Sequence, residues 1–300
     1  MLTRIPKAEI KKGMFVEAVE CSAAVFGKRR FLLSSDSDFG TILESAAEFV
    51  VINTAFGTAA QQSGKRPLSP AEKRAEAAAT MRRSVKALKS ELISIVVGGG
   101  LNMENIAQVV EDIAEADNET SSLFFEVTRL KHKDEAMFQH SLAVGILMGK
   151  LGTALDLDTE TVSLLVLSGL LHDVGKLTIS NDILQKPGPR TAAERKLFRS
   201  HPRRGHHMLK KHANIPDEVL DICLNHHEAL DGSGYPSGKS APEIGLLVRI
   251  ATVCDAFEKL TAAGPGKPGR GVADVMIWMF ERDHLFDRKL VLRLCATIDN

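Results

Sequence analysis

The side chains best suited to chemistry in this sequence are histidines and aspartates that adjoin strongly apolar stretches. His140 lies three residues after Met137 and four before Val144, so on a helix it shares their apolar face. Asp173 follows an almost wholly apolar run over 162–171, which predicts a buried carboxylate. Because a buried carboxylate without a partner is strongly unfavourable, this position requires a nearby cation.

Further candidates of the same two types lie in later helical stretches. Apolar residues three, four and seven positions earlier place His226 and His227 on the apolar side of the stretch 217–228. Asp255 falls on an apolar stripe in the same way, and His201 precedes a proline that suits the first turn of a helix. The complete set of predicted inward-facing groups is His140, His172, Asp173, His201, His226, His227 and Asp255.

Five imidazoles and two carboxylates directed into one interior are typical ligands of borderline divalent metals. A single inward histidine is more often a hydrogen-bonded core residue, but seven such groups would leave many polar atoms unsatisfied without a cation. Seven ligands exceed the four of a tetrahedral zinc site. The set predicts two divalent ions that share one aspartate. Iron is favoured and manganese comes next, because magnesium prefers oxygen ligands. Such a pair acidifies a shared water and holds phosphate oxygens, which indicates phosphoester hydrolysis.

Helical sequence must position these groups. Alanine and charged residues predict one long helix from Pro70 to the glycines at 98–100. Later helices are predicted over 102–116, 122–132, 135–151, 159–174, 192–199, 203–212, 217–228, 242–260, 272–282 and 287–297. Short apolar bursts at 14–16, 31–33 and 49–52 predict strands, with a small helix at 41–48. The fold class is therefore mainly α, with a small α+β amino-terminal domain before an all-α domain.

Composition sets further limits on the class of protein. The 300 residues carry 38 basic and 38 acidic side chains, and this balance argues against DNA binding and electrostatic membrane anchoring. The four cysteines form no CxxC pair, which fits a reducing cytoplasm, and no apolar run approaches a membrane span. Domain bounds follow from composition, while the oligomeric state stays open. We place a regulatory or interaction module at 1–57, a linker at 58–70, connecting helices at 71–118 and the catalytic domain at 119–300.

Four motifs resemble the HD-GYP family of cyclic di-GMP phosphodiesterases. They are HDVGK at 172–176, HPRRG at 201–205, HHEALDGSGYP at 226–236 and DAF at 255–257. The resemblance implies an all-α HD-type domain that hydrolyses cyclic di-GMP to pGpG and, in some members, on to GMP. It also divides the predicted ligands between two ions. One ion takes His140, His172, Asp173 and Asp255, and the other takes Asp173, His201, His226 and His227, so Asp173 is the bridge.

The same resemblance suggests the catalytic and substrate-binding residues. Asp173 and Lys176 are the catalytic candidates, and the family's lysine at the latter position contacts phosphate. The alternative for Lys176 is a cation bound to the last carbonyls of a helix. Tyr235 in the GSGYP loop either contacts guanine or phosphate or only shapes the turn. Lys267 and Arg270, in a predicted mobile loop, are candidate phosphate contacts.

Two departures from the family pattern affect the expected activity. Some members hold a third metal through a glutamate four residues before the first histidine. Ala136 stands there, and Glu135 points about 100° away on a helix, so we expect two ions. The family usually continues LTSxRPYK where this chain has LTAAGPGK at 260–267, so Gly264 and Gly266 replace an arginine and a tyrosine. Loss of a charge-assisted phosphate contact, worth about 1.5–3 kcal/mol, predicts weaker substrate binding.

Three functional hypotheses follow from these motifs. The first is a metal-dependent phosphodiesterase acting on cyclic di-GMP. The second, motivated by the two glycines, is a catalytically weak or inactive signalling protein that binds cyclic di-GMP or docks partners. A general HD nucleotide phosphohydrolase is the third, and the GSGYP loop disfavours it. The segments 10–16 and 50–57 also resemble a small domain that often precedes HD-GYP domains. This module and the GYP loop are the candidate surfaces for protein partners, and the alternative for the module is a structural cap.

Overall fold

The computed structural model describes residues 2–20, 28, 30–56, 69–129, 135–263 and 269–298. The chain divides into two compact units, Met1–Glu72 and Lys73–Asn300. The predicted fold class is confirmed, because the described part of the first unit combines a small sheet with short helical segments and the second unit is helical. Most of the predicted linker lies outside the described residues, and the bounds drawn from composition stay predictions.

The amino-terminal unit is built on a four-stranded antiparallel sheet with strand order β1-β4-β2-β3. Its elements are β1 Leu2–Pro6, β2 Met14–Val19, β3 Phe31–Leu32, α1 Asp36–Glu44 and β4 Phe49–Phe56. Three strands match the predicted apolar bursts. The sequence pattern missed β1, an edge strand, where a terminal proline is tolerated. Helix α1 begins earlier than predicted because the Ser35 side chain caps it by accepting a hydrogen bond from the Asp38 amide.

Helices make up the second unit, together with two short 3₁₀ segments at Val174–Thr178 and Ala241–Glu243. The first helices are α2 Pro70–Val96, α3 Met103–Ala114, α4 Asn118–Thr128, α5 Ala136–Ala154 and α6 Thr159–Leu171. The later ones are α7 Asn181–Leu184, α8 Ala192–Phe198, α9 His201–Leu209, α10 Asp217–Asn225, α11 Leu246–Thr261, α12 Val272–Phe280 and α13 Arg288–Ile298. No helix in the described part of the chain combines the length and apolar character needed to cross a membrane.

Helices α5 and α6 form the centre of this unit, and most of their residues are buried. They pack very closely where two glycines meet: a Cβ on Gly169 would lie 2.5 Å from the Cα of Gly145. Only side chains of minimal size permit this approach. The contact fixes the position of α5, which carries His140, against α6, which leads into His172 and Asp173.

Both helices that lead directly into predicted ligands end earlier than the apolar pattern predicted. The stretch 159–174 is helical only to Leu171, and 217–228 only to Asn225. In both cases the next residue is a histidine, which closes the last turn instead of continuing the helix. The amide of His172 donates to the Ser168 carbonyl at 2.8 Å, as the last such bond of the helix. Helix ends therefore present these imidazoles.

Candidate metal centre

The seven predicted ligands come from three helix ends or beginnings and two helix faces. His140 lies near the start of α5, and Asp255 lies in the second half of α11. His201 is the first residue of α9, as predicted. The pairs His172–Asp173 and His226–His227 follow α6 and α10 directly. All seven are buried except His227, which is half-buried.

These side chains form two overlapping groups that share Asp173. In each group the potential ligand atoms lie within 4.8 Å of one another. One group contains His140, His172, Asp173 and Asp255, and the other contains Asp173, His201, His226 and His227. The structure thus brings together all seven residues in the grouping that the family resemblance implied. Their role as ligands stays a prediction.

The carboxylate of Asp173 faces both groups with different oxygens. Its Oδ2 lies 3.3 Å from Nε2 of His140 and 3.3 Å from Nε2 of His172. Its Oδ1 lies 3.2 Å from Nε2 of His201 and 3.6 Å from Nε2 of His226. A carboxylate turned in this way can bind one cation through each oxygen.

Several polar atoms that point into the cluster lack a hydrogen-bond partner in the described part of the chain, and a cation would satisfy them. Nε2 of His140 and of His172, and Oδ1 of Asp173 and of Asp255, are buried and have no hydrogen-bond partner among the described residues. Buried polar atoms without partners are rare and costly. Imidazole nitrogens and carboxylate oxygens at this spacing fit divalent metal binding.

The outward nitrogens of four of the five histidines are anchored by acceptors outside the cluster. The Nδ1 contacts are His140 to Glu258, His172 to the Gly169 carbonyl at 2.8 Å, His201 to the Phe198 carbonyl at 2.7 Å and His226 to the Cys223 carbonyl at 3.0 Å. A nitrogen that faces a carbonyl oxygen must be the donor, so the proton lies on Nδ1. Nε2 then presents its lone pair to the centre, which is the orientation that a metal ligand requires.

Sequence reasoning missed two charged residues of the centre, Glu258 and Lys259. Both lie on α11, three and four residues after Asp255, and Glu258 is buried. The Lys259 ammonium lies 2.7 Å from Oδ2 of Asp255 and 3.5 Å from Nε2 of His227. The i+3 and i+4 spacing from a predicted ligand was the available signal, because such residues share a helix face.

His140 and His226 lie in different electrostatic environments, which shift their pKa values in opposite directions. Burial lowers the pKa of His140, but the charge of Glu258 and the nearby carboxylates outweigh it and raise this pKa to about 10. Burial lowers the pKa of His226 to about 4. For Asp255, burial raises the pKa, but the charge of Lys259 and the surrounding histidines hold it well below its usual range. The centre therefore combines ionised carboxylates with neutral imidazoles in the His226 group.

Lys176 lies in the 3₁₀ segment that follows Asp173, and its side chain is almost fully buried. Its ammonium contacts Oδ2 of Asp173. Burial lowers the pKa of this lysine. A cation within the cluster suits the predicted phosphate contact better than the alternative of a terminal helix cation, and the contact with phosphate stays a prediction.

The GSGYP loop places the ring of Tyr235 beside the second group, where it and His227 form what we call the aromatic wall. The Glu228 carboxylate fixes the loop by accepting hydrogen bonds from the amides of Ser237 at 2.7 Å and Lys239 at 3.0 Å. The ring of Tyr235 stacks on His227 with a centroid distance of 4.6 Å and an interplanar angle of 25°. Tyr235 therefore borders the cluster, where it can contact a substrate.

Of the other predicted substrate contacts, the structure describes Arg270 but not Lys267. Gly264, Gly266 and Lys267 lie outside the described residues. The guanidinium of Arg270 lies 5.7 Å from the ring centroid of Trp278, a contact on α12. Glu135, the residue beside the family's third-metal position, lines a cavity of about 820 Å³ together with residues of α2 and α4. The two described groups of potential ligands do not include it.

Comparison with known proteins places the chain in a class. The sequence profile of the HD domain matches residues 126–290, and a domain of unknown function, DUF3391, matches residues 2–134. A solved structure, the HDG"Y"P protein Bd1817 from Bdellovibrio bacteriovorus, aligns over 100% of both chains with a TM-score of 0.58 at 14% identity, which shows the fold alone. Fold, cluster and profile thus define an HD-domain protein.

Curated relatives specify the family. The cyclic di-GMP phosphodiesterase PA4108 of Pseudomonas aeruginosa is 33% identical over 96% of this chain and 74% of that protein. The cyclic di-GMP phosphodiesterase response regulator RpfG of Xanthomonas campestris is 28% identical over 75% of this chain and 58% of its own length. A 3'3'-cGAMP-specific phosphodiesterase 1 from Vibrio cholerae is 37% identical over 48% of this chain and 33% of its own length. The chain belongs to the HD-GYP family.

Proposed function

We propose that this protein is a metal-dependent phosphodiesterase that hydrolyses cyclic di-GMP at a two-ion centre. The observation that carries the proposal is the Asp173 carboxylate, whose two oxygens face two separate histidine groups. The names of the Pseudomonas and Xanthomonas relatives support the substrate. Identity to the first of these extends over nearly the whole chain.

The seven side chains would hold the two ions in the overlapping groups described above. When bound, two divalent ions acidify a shared water and neutralise charge on phosphoryl oxygens. We propose iron as the most suitable metal and manganese as the next. Five imidazoles and two carboxylates suit these metals better than magnesium, which prefers oxygen ligands.

The chain's own residues supply orientation and charge. Asp173 connects the two groups, and Glu258 holds the His140 ring through Nδ1. The Lys176 ammonium lies on Asp173, from which it can contact a phosphoryl oxygen and stabilise charge that develops there. Tyr235 forms an aromatic wall on which a guanine can stack. Water adds to phosphorus, the bond to the 3′ oxygen breaks, a proton goes to that oxygen, and the linear product is pGpG; a second hydrolysis would give GMP.

A second candidate function is cyclic di-GMP binding with weak or absent turnover. The observation that favours it is the sequence change at Gly264 and Gly266, which removes the arginine and tyrosine of the family pattern. In that case the metal centre and the Tyr235 wall would serve recognition, and the GYP loop or the amino-terminal module would dock protein partners. The relative named for 3'3'-cGAMP motivates including that dinucleotide in any substrate panel.

Turnover by iron-loaded and manganese-loaded protein tests the proposal. Cyclic di-GMP and 3'3'-cGAMP are incubated separately, and the products are resolved by chromatography. We expect pGpG from wild-type protein and none from Asp173→Ala. Binding without turnover by the metal-loaded wild type would favour the second candidate. Hydrolysis that survives in Asp173→Ala would contradict the assigned role of this residue.

The amino-terminal module is proposed to regulate the HD domain or to bind a partner, in the cytoplasm. The DUF3391 profile at residues 2–134 supports a module that includes α2, α3 and α4 as well as the sheet. This extent is longer than the 1–57 module drawn from composition. The two profiles overlap at residues 126–134.

A further inference from the structure

Lys259 places a second ammonium in the centre, in addition to Lys176. It lies on α11 one turn after Asp255, and its Nζ is 2.7 Å from Oδ2 of that aspartate. The same Nζ is 3.5 Å from Nε2 of His227, the ring on which Tyr235 stacks. A third of the Lys259 side chain is exposed (33%), whereas Asp255 is almost fully buried (4%). The ammonium therefore lies where the buried cluster meets the surface.

The ion pair with Asp255 uses only some of the hydrogen-bond donors of the Lys259 ammonium. Asp255 directs Oδ1 inward, 3.1 Å from Nε2 of His140 and 3.5 Å from Nε2 of His172, and directs Oδ2 at Lys259. An ammonium has three donors. The Asp255 carboxylate takes one of them and Nε2 of His227, at 3.5 Å, can take a second, which leaves a third for an anion.

Charge balance indicates what that anion is. The centre holds three carboxylates, on Asp173, Asp255 and Glu258, and two ammoniums, on Lys176 and Lys259. With the imidazoles neutral, as metal ligands must be, their sum is one negative charge, and two divalent ions would bring it to three positive charges. The Asp255 carboxylate lies between Lys259 and the first group, but its single negative charge offsets only part of this positive charge, so the centre favours a further anion beside the ammonium. A phosphodiester supplies that anion.

We propose that Lys259 is a phosphate-binding residue of this centre, beside the His227–Tyr235 wall. It would donate to a non-bridging phosphate oxygen of the substrate from a helix. It thereby provides a cation that the sequence lacks at Gly264. The inference rests on the proposed function, and it adds a residue that neither the motifs nor the family pattern assigned.

The test compares metal-loaded wild type with Lys259→Met, which removes the charge, and Lys259→Arg, which keeps it. Lys289→Met, an exposed lysine on α13, is the matched control for loss of one positive charge. Metal content is measured for each protein by elemental analysis. Affinities for pGpG and for inorganic phosphate are measured by calorimetry, which needs no turnover, and kcat and KM are measured with cyclic di-GMP.

We expect Lys259→Met to keep both ions and to bind pGpG and phosphate about 10-fold to 100-fold more weakly, because a charge-assisted contact is lost. Lys259→Arg and Lys289→Met should bind within a few-fold of wild type. Unchanged affinity in Lys259→Met, or loss of metal in that variant, would overturn the inference, because the lysine would then be irrelevant to phosphate or would only position Asp255. Failure of wild type to bind or cleave cyclic di-GMP counts against the proposed function, and the phosphate affinities still decide the role of Lys259.

Discussion

Glu258 contacts Nδ1 of His140 from outside the cluster, on the side of the imidazole that faces away from Asp173. Both side chains are buried, so this carboxylate is a fixed part of the centre. It holds a proton on Nδ1 of His140, and it also raises the pKa of the ring. The orientation of one predicted ligand therefore depends on a residue that is not itself in either ligand group.

Glu258→Gln keeps an acceptor for Nδ1 but removes the negative charge. We expect metal affinity to fall about 10-fold to 100-fold, which is the usual effect of changing the outer partner of a metal-bound histidine. Competition with a chelator of known affinity measures the change. Glu126→Gln, on the exposed surface of α4, is the control and should bind metal like wild type. Equal affinities in the two variants would show that Glu258 does not tune the centre.

Metal stoichiometry should distinguish the shared aspartate from a ligand of one group. Wild type should hold two ions per chain. His201→Asn removes a ligand from the second group only, so it should retain about one ion, whereas Asp173→Asn weakens both groups and should retain less than one. Elemental analysis of the purified variants measures these ratios. Equal losses in the two variants would contradict the bridging arrangement.

Metal removal should destabilise the protein. Ligand that binds only the folded state stabilises it by about 2.7 kcal/mol at 100 times Kd, and the unsatisfied atoms of the cluster are otherwise a cost to folding. We expect Tm to fall when a chelator removes the metal and to recover on readdition. Asp173→Asn provides the control, since its Tm should respond much less to either treatment. A wild-type Tm that is the same with and without metal would argue against metal binding at these residues.

In the metal-free protein, the pKa values of His140 and His226 should be shifted in opposite directions. The pKa of His140 is raised to about 10, so its contribution to stability is full below about 6.5 and is lost as pH rises towards 10. The pKa of His226 is lowered to about 4, so stability is lost as pH falls from 6.5 towards 4. Ring resonances followed by NMR, assigned with His140→Asn and His226→Asn, measure both values. Titration of both rings near 6.5 would contradict this electrostatic division.

The sequence predicted that most of the seven ligand side chains face the interior. It did not predict which atom of each side chain faces the cluster. His140 and Asp255 lie in helix interiors, where apolar periodicity indicates the buried face. His172 and His226 lie just past helix ends that periodicity placed three residues too late. An apolar pattern cannot mark the last helical residue when the residues that follow are buried as well. The grouping around Asp173 came from the family resemblance, because spacing within single helices carries no information on contacts between helices.

The charged residues on α11 illustrate a different limit. Glu258 and Lys259 follow Asp255 in sequence, and adjacent charged residues on a helix usually face solvent. Here Glu258 turns to a histidine of α5, and Lys259 turns back along α11 to Asp255. Which face of α11 is buried depends on the helices packed around it. A single sequence does not specify that packing.

Gly175 allows the closest approach between the segment after Asp173 and the start of α9. A Cβ at this position would lie 2.1 Å from the backbone carbonyl oxygen of His201 and 2.6 Å from the amide nitrogen of Gly205. Backbone atoms cannot rotate away, so Gly175→Ala must push α9 from the centre and separate His201 from Asp173. We expect a loss of about 1–3 kcal/mol in the free energy of unfolding, together with reduced metal occupancy. Denaturant unfolding and elemental analysis measure the two effects.

Gly100→Ala is the matched control, because a Cβ there meets no atom within 4 Å. It should leave both the unfolding free energy and the metal content close to wild type. The loss of metal occupancy in Gly175→Ala should not be explained by its loss of stability alone. If α9 must touch this glycine to bring His201 to the cluster, occupancy falls even in the protein that remains folded. Full occupancy in folded Gly175→Ala would show that the centre forms without this close approach.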